Sequence, residues 1–129
     1  MMRAMMRAKV HGATVTQVNL NYVGSLTLDP VIMESLDLLV NEKVHVLNMN
    51  NGARLETYLI AGERGSGVVG LNGAAARLAH PGDKVLVVAY AWMTDQEARS
   101  HKARVAIVDE NNRIEEIRED QEATVFRKS

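Results

Sequence analysis

The 129-residue sequence predicts a mainly β protein, a small closed or nearly closed β-barrel with short helices. Three observations predict it. Short β-branched stretches recur along the chain. Turn signals separate them at regular spacing. Only two short segments carry a helix signature. Aromatics are few, one Trp, one Phe and three Tyr, so Val, Leu, Ala and Met must fill the interior. A chain of this length buries a real core as one domain. That domain is read as residues 1–115, with a charged, flexible tail over 116–129.

Met5 to Val18 reads as extended, with Val10, Thr14, Val15, Thr16 and Val18 β-branched and an interruption at Gly12. Gly24-Ser25 reads as a turn between a strand-like segment and a helix start. Asp29-Pro30 opens that helix, Asp as N-cap and Pro at the first helical position. Ile32, Leu36 and Leu39 fall at i, i+4, i+7 and form one apolar stripe. Lys43 to Asn48 alternates, with Val44 and Val46 on one face, and Arg54 to Ile60 is the return strand. Asn50-Asn51-Gly52 between them is the strongest turn signal in the chain. Gly62-Glu63-Arg64-Gly65-Ser66-Gly67 is a glycine-rich turn; no Lys-Ser/Thr pair closes it as in a P-loop. Val68 to Leu71 is a short strand. Asn72 to Leu78 runs from a small-residue turn into a helical turn, whose first N–H groups can bind an anion. His80-Pro81-Gly82-Asp83 is a turn. Lys84 to Trp92 is near-continuously apolar, the mark of a strand covered on both faces. Arg104 to Asp109 is a strand that turns at Asn111-Asn112. Arg113 to Ser129 is charged and weakly patterned, a frayed end.

Composition excludes several functions. The net charge of −1 leaves no basic field for nucleic acid or an acidic membrane. With no Cys there is no disulfide, thiolate nucleophile or Cys-ligated metal. The four His, at 11, 45, 80 and 101, lack ligand spacing, so no metal is expected. No apolar run reaches the roughly 18 residues of a membrane span, and no signal peptide is legible. The expectation is a soluble cytoplasmic protein. Residues 1–24 carry Arg3, Arg7 and Lys9 and no acid. That segment is +3, which leaves −4 for the rest.

Gly24-Ser25 also admits a chemical reading. The Ser25 hydroxyl can attack the Gly24 carbonyl and convert the peptide to an ester. Elimination across Ser25 then cuts the chain, and hydrolysis leaves a pyruvoyl ketone. Gly before the Ser suits this, because it tolerates strained dihedrals and close approach. A Ser hydrolase is disfavoured, since the flanking G-x-S-x-G pattern is missing.

Six motifs coincide in order and spacing: Lys9-Val10-His11, Tyr22-Val23-Gly24-Ser25, Asn51-Gly52-Ala53-Arg54, Glu56-Thr57-Tyr58, Glu63-Arg64-Gly65-Ser66 and Asn72-Gly73-Ala74-Ala75-Ala76. With them the chain resembles the bacterial pyruvoyl-dependent aspartate 1-decarboxylases, from about Met1 to Arg99. The resemblance implies a double-psi β-barrel of six to seven strands. It implies a carboxy-lyase that makes β-alanine and CO2 from L-aspartate for pantothenate and coenzyme A synthesis. Its cofactor would be a covalent pyruvoyl group formed from Ser25 by autocatalytic cleavage of a zymogen into 1–24 and 25–129, with no metal and no pyridoxal phosphate. It implies a homotetramer with sites between neighbouring subunits. Whether maturation takes a partner protein is left open.

The resemblance also implies residue roles. Ser25 is the pyruvoyl precursor and forms the Schiff base with substrate. Gly24, Ser25, Thr57 and Asn72 serve processing, with Asn72 holding the cleavage-site backbone. Lys9, His11, Arg54, Thr57, Gly73, Ala74 and Ala75 bind substrate. Tyr58 donates the proton. Physical chemistry supports part of this. A diacid calls for cations, and Arg54 is a natural bidentate clamp. A strand places Tyr58 on the Arg54 face, roughly 13 Å along it, and a tyrosine there can act as a general acid. The bland alternatives are a solvated strand face for Lys9 and Arg54, a structural role for His11, and cross-strand aromatic packing for Tyr58. Thr57 faces away from Arg54 on a regular strand, so either a bulge re-aims it or neighbouring strands and subunits bring both faces together. Leu47 stands where some relatives carry an aromatic, which loosens the packing around the pocket. Two rival functions remain: an inert barrel serving binding or assembly, and a pyruvoyl decarboxylase of another amino acid.

Overall fold

The computed structural model describes residues 1–22 and 24–119. Its strands are β1 (Met2–Thr14), β2 (Gln17–Asn19), β3 (Ser25–Leu28), β4 (Lys43–Asn48), β5 (Arg54–Ala61), β6 (Val69–Asn72), β7 (Lys84–Thr94), β8 (Arg104–Val108) and β9 (Ile114–Arg118). Helix α1 is Pro30–Ser35, a 3₁₀ helix covers Gly73–Leu78, and α2 is Asp95–Ser100. Among the described residues the strands form one curved sheet in the order β2-β6-β3-β5-β4-β7-β1-β8-β9. The protein is thus mainly β and barrel-like with short helices, as expected, but with nine strands among the described residues rather than six to seven. No ladder joins the edges β2 and β9 among the described residues, so the sheet stays open.

The core follows from strand alternation. Val10, Val87, Val46 and Leu55 stand opposite one another across four strands. They point inward with Leu26, Leu28, Leu59, Leu71 and Val85, and all but the partly buried Leu55 are closed to solvent. The residues between them point outward. Gly52 takes a positive φ in the β4–β5 hairpin, where the Asn-Gly pair was read as a turn.

The buried Asp29 caps α1 by accepting from Val31 N–H at 2.9 Å, and Pro30 follows at the first position. The same carboxylate accepts from Gly65 N–H and Gly67 N–H at 3.0 and 2.8 Å. The glycine-rich loop therefore cradles an anion, and that anion is the chain's own side chain. Burial alone would raise the Asp29 carboxyl. The N–H bonds from Gly67, Val31 and Gly65 and the Arg113 charge outweigh it and hold it below the usual carboxylate range.

The sequence reading differs from this fold in five places. Ser25 opens strand β3 rather than sitting in a turn, because β3 is clasped between β5 and β6. Helix α1 ends at Ser35, and Asp37 takes φ 52°, so Leu39 leaves the stripe and is 65% exposed. Strand β7 is covered only in its first half. Beyond β4 and β8 it pairs with β1 alone, from Met2↔Thr94 to Met6↔Tyr90, as a two-stranded arm. Trp92 on that arm is 71% exposed. Helix α2 carries a capping box, Thr94 with Glu97, that the reading passed over. Finally, Ile114–Arg118 pairs with β8, so Glu116 to Arg118 belong to the sheet and not to a tail. The rest of the tail, 120–129, lies outside the described residues.

Candidate active site

Strands β3 and β6 run antiparallel, with Ser25 opposite Asn72 and Thr27 opposite Gly70. Residues two apart on a strand share a face, so Ser25 and Thr27 flank the Asn72 side chain. Asn72 Nδ2 donates to Ser25 Oγ and to Thr27 Oγ1, each at 2.9 Å. Ser25 and Asn72 are 1% and 3% exposed. Asn72 thus grips the Ser25 hydroxyl, in addition to pairing with Ser25 across the ladder.

Gly73 comes next, at φ +66°. A Cβ there would lie 2.7 Å from Gly24 Cα and 2.8 Å from Gly24 N. Only glycine permits both that dihedral and that approach. A Cβ on Gly24 itself would meet nothing nearer than the Asn72 carbonyl oxygen at 3.9 Å. The steric demand expected at Gly24 is therefore found at Gly73. The 3₁₀ helix begins here, with Ala74 exposed and Ala75 half-buried. A polar cavity of about 230 Å³ opens beside this corner, lined by Gln17, Asn19, Tyr22, Thr27, Ile60 and Asn72.

Strand β5 carries the second group. Ile60 stands opposite Thr27 in the parallel β3–β5 pair. Tyr58, Glu56 and Arg54 continue the Ile60 row along the same outward face. Tyr58 is half-buried and Arg54 is exposed, with Leu47 directly opposite Arg54. Among the described residues no carboxylate pairs with the Arg54 guanidinium. Glu56, between them, is held by Lys43 and His45 at 3.3 Å each. The β4–β5 register runs without a bulge, so Thr57 keeps the inward face, opposite Val44. Of the two routes left open for Thr57, re-aiming by a bulge is excluded.

Lys9 and His11 lie on β1. Lys9 shares a cross-strand row with Val88, His45 and Glu56, on the same outward face as Arg54 and Tyr58. Strand β1 is three strands from β5, about 14 Å along the sheet. One chain therefore puts the two cations on one face without bringing them to one point. Burial lowers the Lys9 ammonium pKa, and burial plus the Lys9 charge lowers that of His11. His11 is thereby held neutral near pH 7.

The corner can position a hydroxyl against a peptide bond, and the open face can receive an anion. A larger, apolar cavity of about 570 Å³ lies on the β1–β7 arm, lined by Lys43, His45, Tyr90, Trp92 and two alanines. None of the site residues expected from the sequence lines it. Among the described residues, no three His, Cys, Asp or Glu gather as a metal site. The sequence reading gave Thr27 little weight; its signal was the Ser-x-Thr alternation of a strand hidden by the turn assignment.

A family model described as aspartate decarboxylase matches residues 1–115. Among curated relatives, an aspartate 1-decarboxylase of Bacillus velezensis is 57% identical over 117 residues, covering 91% of this chain and 92% of its own. That of Bacillus subtilis is 56% identical with the same coverage. That of Listeria monocytogenes is 54% identical over 123 residues, covering 95% and 97%. The chain belongs to the aspartate decarboxylase family.

Proposed function

We propose that this chain decarboxylates L-aspartate to β-alanine and CO2, supplying pantothenate and coenzyme A synthesis in the cytoplasm, after cutting itself between Gly24 and Ser25. The observation that carries this reading is the buried Asn72 Nδ2–Ser25 Oγ bond of 2.9 Å beside a Gly24 backbone packed on Gly73. A pre-positioned nucleophile next to its target is what an intramolecular reaction needs. Ser25 Oγ bonds to the Gly24 carbonyl carbon, and the C–N bond breaks with the hydroxyl proton passing to the Ser25 nitrogen. Loss of the Ser25 α-proton and of the Gly24 carboxylate then leaves a dehydroalanine end. Water converts that end to a ketone and releases ammonia.

The residues around Ser25 fit a pyruvoyl group: Ser25 and Asn72 are buried, and polar side chains line the cavity beside them. Such a ketone would supply an electrophile for the substrate amine and a sink for the electrons left behind when CO2 departs. Arg54 clamps a substrate carboxylate, assisted by Lys9 and by N–H groups at Gly73, Ala74 and Ala75. Neutral His11 serves as a hydrogen-bonding group, and Tyr58 O–H returns a proton to the carbon that lost CO2. Thr57 contributes to processing from the inward face. The separation of Lys9 from Arg54 along one sheet supports a homotetramer whose sites form between neighbouring subunits.

Intact mass under denaturing conditions tests the reading. Wild-type protein should give two fragments, 1–24 and 25–129, and decarboxylate aspartate. Ser25→Ala should give one species and no activity. A single uncut wild-type species after long incubation refutes it, as does Ser25→Ala cut at the same bond.

A further inference from the structure

We propose that Thr27 is a positioning residue for chain cleavage: its hydroxyl is the second anchor of the Asn72 carboxamide that grips Ser25. This inference rests on the self-cleavage reading above. The buried Asn72 amide meets two hydroxyls, Ser25 Oγ and Thr27 Oγ1, at equal distances of 2.9 Å. One contact alone leaves a terminal amide free to turn about its last torsion, which is broad. Two contacts on the same strand face fix both its position and its plane.

Thr27 is itself held in place. A Cβ on Gly62 would fall 2.8 Å from Thr27 Cγ2, so the methyl rests where Gly62 has no side chain. A β-branched residue has few χ1 choices. With the methyl seated against Gly62, Oγ1 is turned to Asn72. The order of control runs from Gly62 through Thr27 and Asn72 to the Ser25 oxygen, which forms the new C–O bond to Gly24 while its proton passes to the departing nitrogen. Thr27 and Asn72 also line the polar cavity of about 230 Å³. Without the Thr27 hydroxyl, the amide can turn toward that cavity and leave Ser25.

The experiment follows cleavage by intact mass over time in wild type, Ser25→Ala, Thr27→Val and Thr27→Ser, alongside thermal melting of each. Thr27→Val keeps the shape and removes the acceptor. It should slow cleavage about 10–100-fold, the size expected when a buried donor loses its partner. Thr27→Ser restores the oxygen and should cleave within a few-fold of wild type at a comparable melting temperature. Thr27→Val cutting at the wild-type rate overturns the proposal. So does Thr27→Ser as slow as Thr27→Val, because the methyl and not the hydroxyl would then matter. If Thr27→Val is too unstable to study, Thr27→Ser against Thr27→Ala decides by the same criterion. The outcomes separate the two claims: an uncut wild type defeats the self-cleavage reading, whereas normal cutting of wild type and Thr27→Val defeats only the role of Thr27.

Discussion

Two regions of the outward sheet face carry the candidate chemistry, and they are built in opposite ways. The corner of β3 and β6 is closed: Ser25, Thr27, Asn72 and Gly73 pack together within one chain, with Ser25, Asn72 and Gly73 buried and Thr27 half-buried. The face of β1, β4 and β5 is open: Arg54 is exposed, and Lys9 lies three strands away. The contacts of the corner form within one chain. On the face, one chain leaves the two cations apart; in the proposed reading a substrate or a neighbouring subunit draws them together. Cutting the chain and turning over substrate should therefore respond to different substitutions.

The largest separation is expected at Tyr58. Tyr58→Phe keeps the ring and removes one proton, so folding and cleavage should proceed as in wild type. Loss of a general acid costs about 10²–10⁴-fold, read in kcat of the fully cut enzyme. A near-normal kcat returns Tyr58 to packing across the sheet. Arg54→Ala comes next. Losing one charge-assisted pair costs about 1.5–3 kcal/mol, so kcat/KM for aspartate should fall about 10–100-fold with cleavage intact. Cleavage and turnover falling together would erase the distinction between the regions. Gly73→Ala attacks from the other side. An alanine at φ +66° against the Gly24 backbone costs roughly 1–3 kcal/mol, so chain cutting should slow about 10-fold and the melting temperature should drop. Unchanged cutting there would mean that the corner's tight packing is not what positions the bond.

What the sequence made legible was set by local chemistry. Asp29-Pro30 capped a helix and Asn50-Asn51-Gly52 turned a hairpin, because each acts through its own backbone neighbours. Thr94 and Glu97 were equally local, and their capping box was there to be read. Ser25 was misplaced because the Ser-Leu-Thr-Leu alternation spans only four residues and lay under a Gly-Ser turn signal; pairing on both sides makes it a strand. Trp92 was expected indoors because an apolar run does not say how far its neighbouring strands extend. The candidate site divides the same way. Alternation put Arg54 and Tyr58 on one face and Thr57 on the other, and the unbulged register agrees. The Asn72–Thr27 contact joins residues 45 apart, and no pattern within either segment announces it.

The position of β1 has a consequence for the molecule's history. It lies between β7 and β8, supplies Val10 to the core, and ties Arg7 to Glu42 and Arg3 to Asp95. Once the Gly24–Ser25 bond is cut, this interior strand belongs to a separate polypeptide. Folding before the cut is a first-order process within one chain. Recovery after the cut is an encounter between two chains, and its rate depends on their concentration. If the proposed cut occurs, it fixes the order of events: the protein would fold as one molecule, become two, and after denaturation be unable to retrace its path as one.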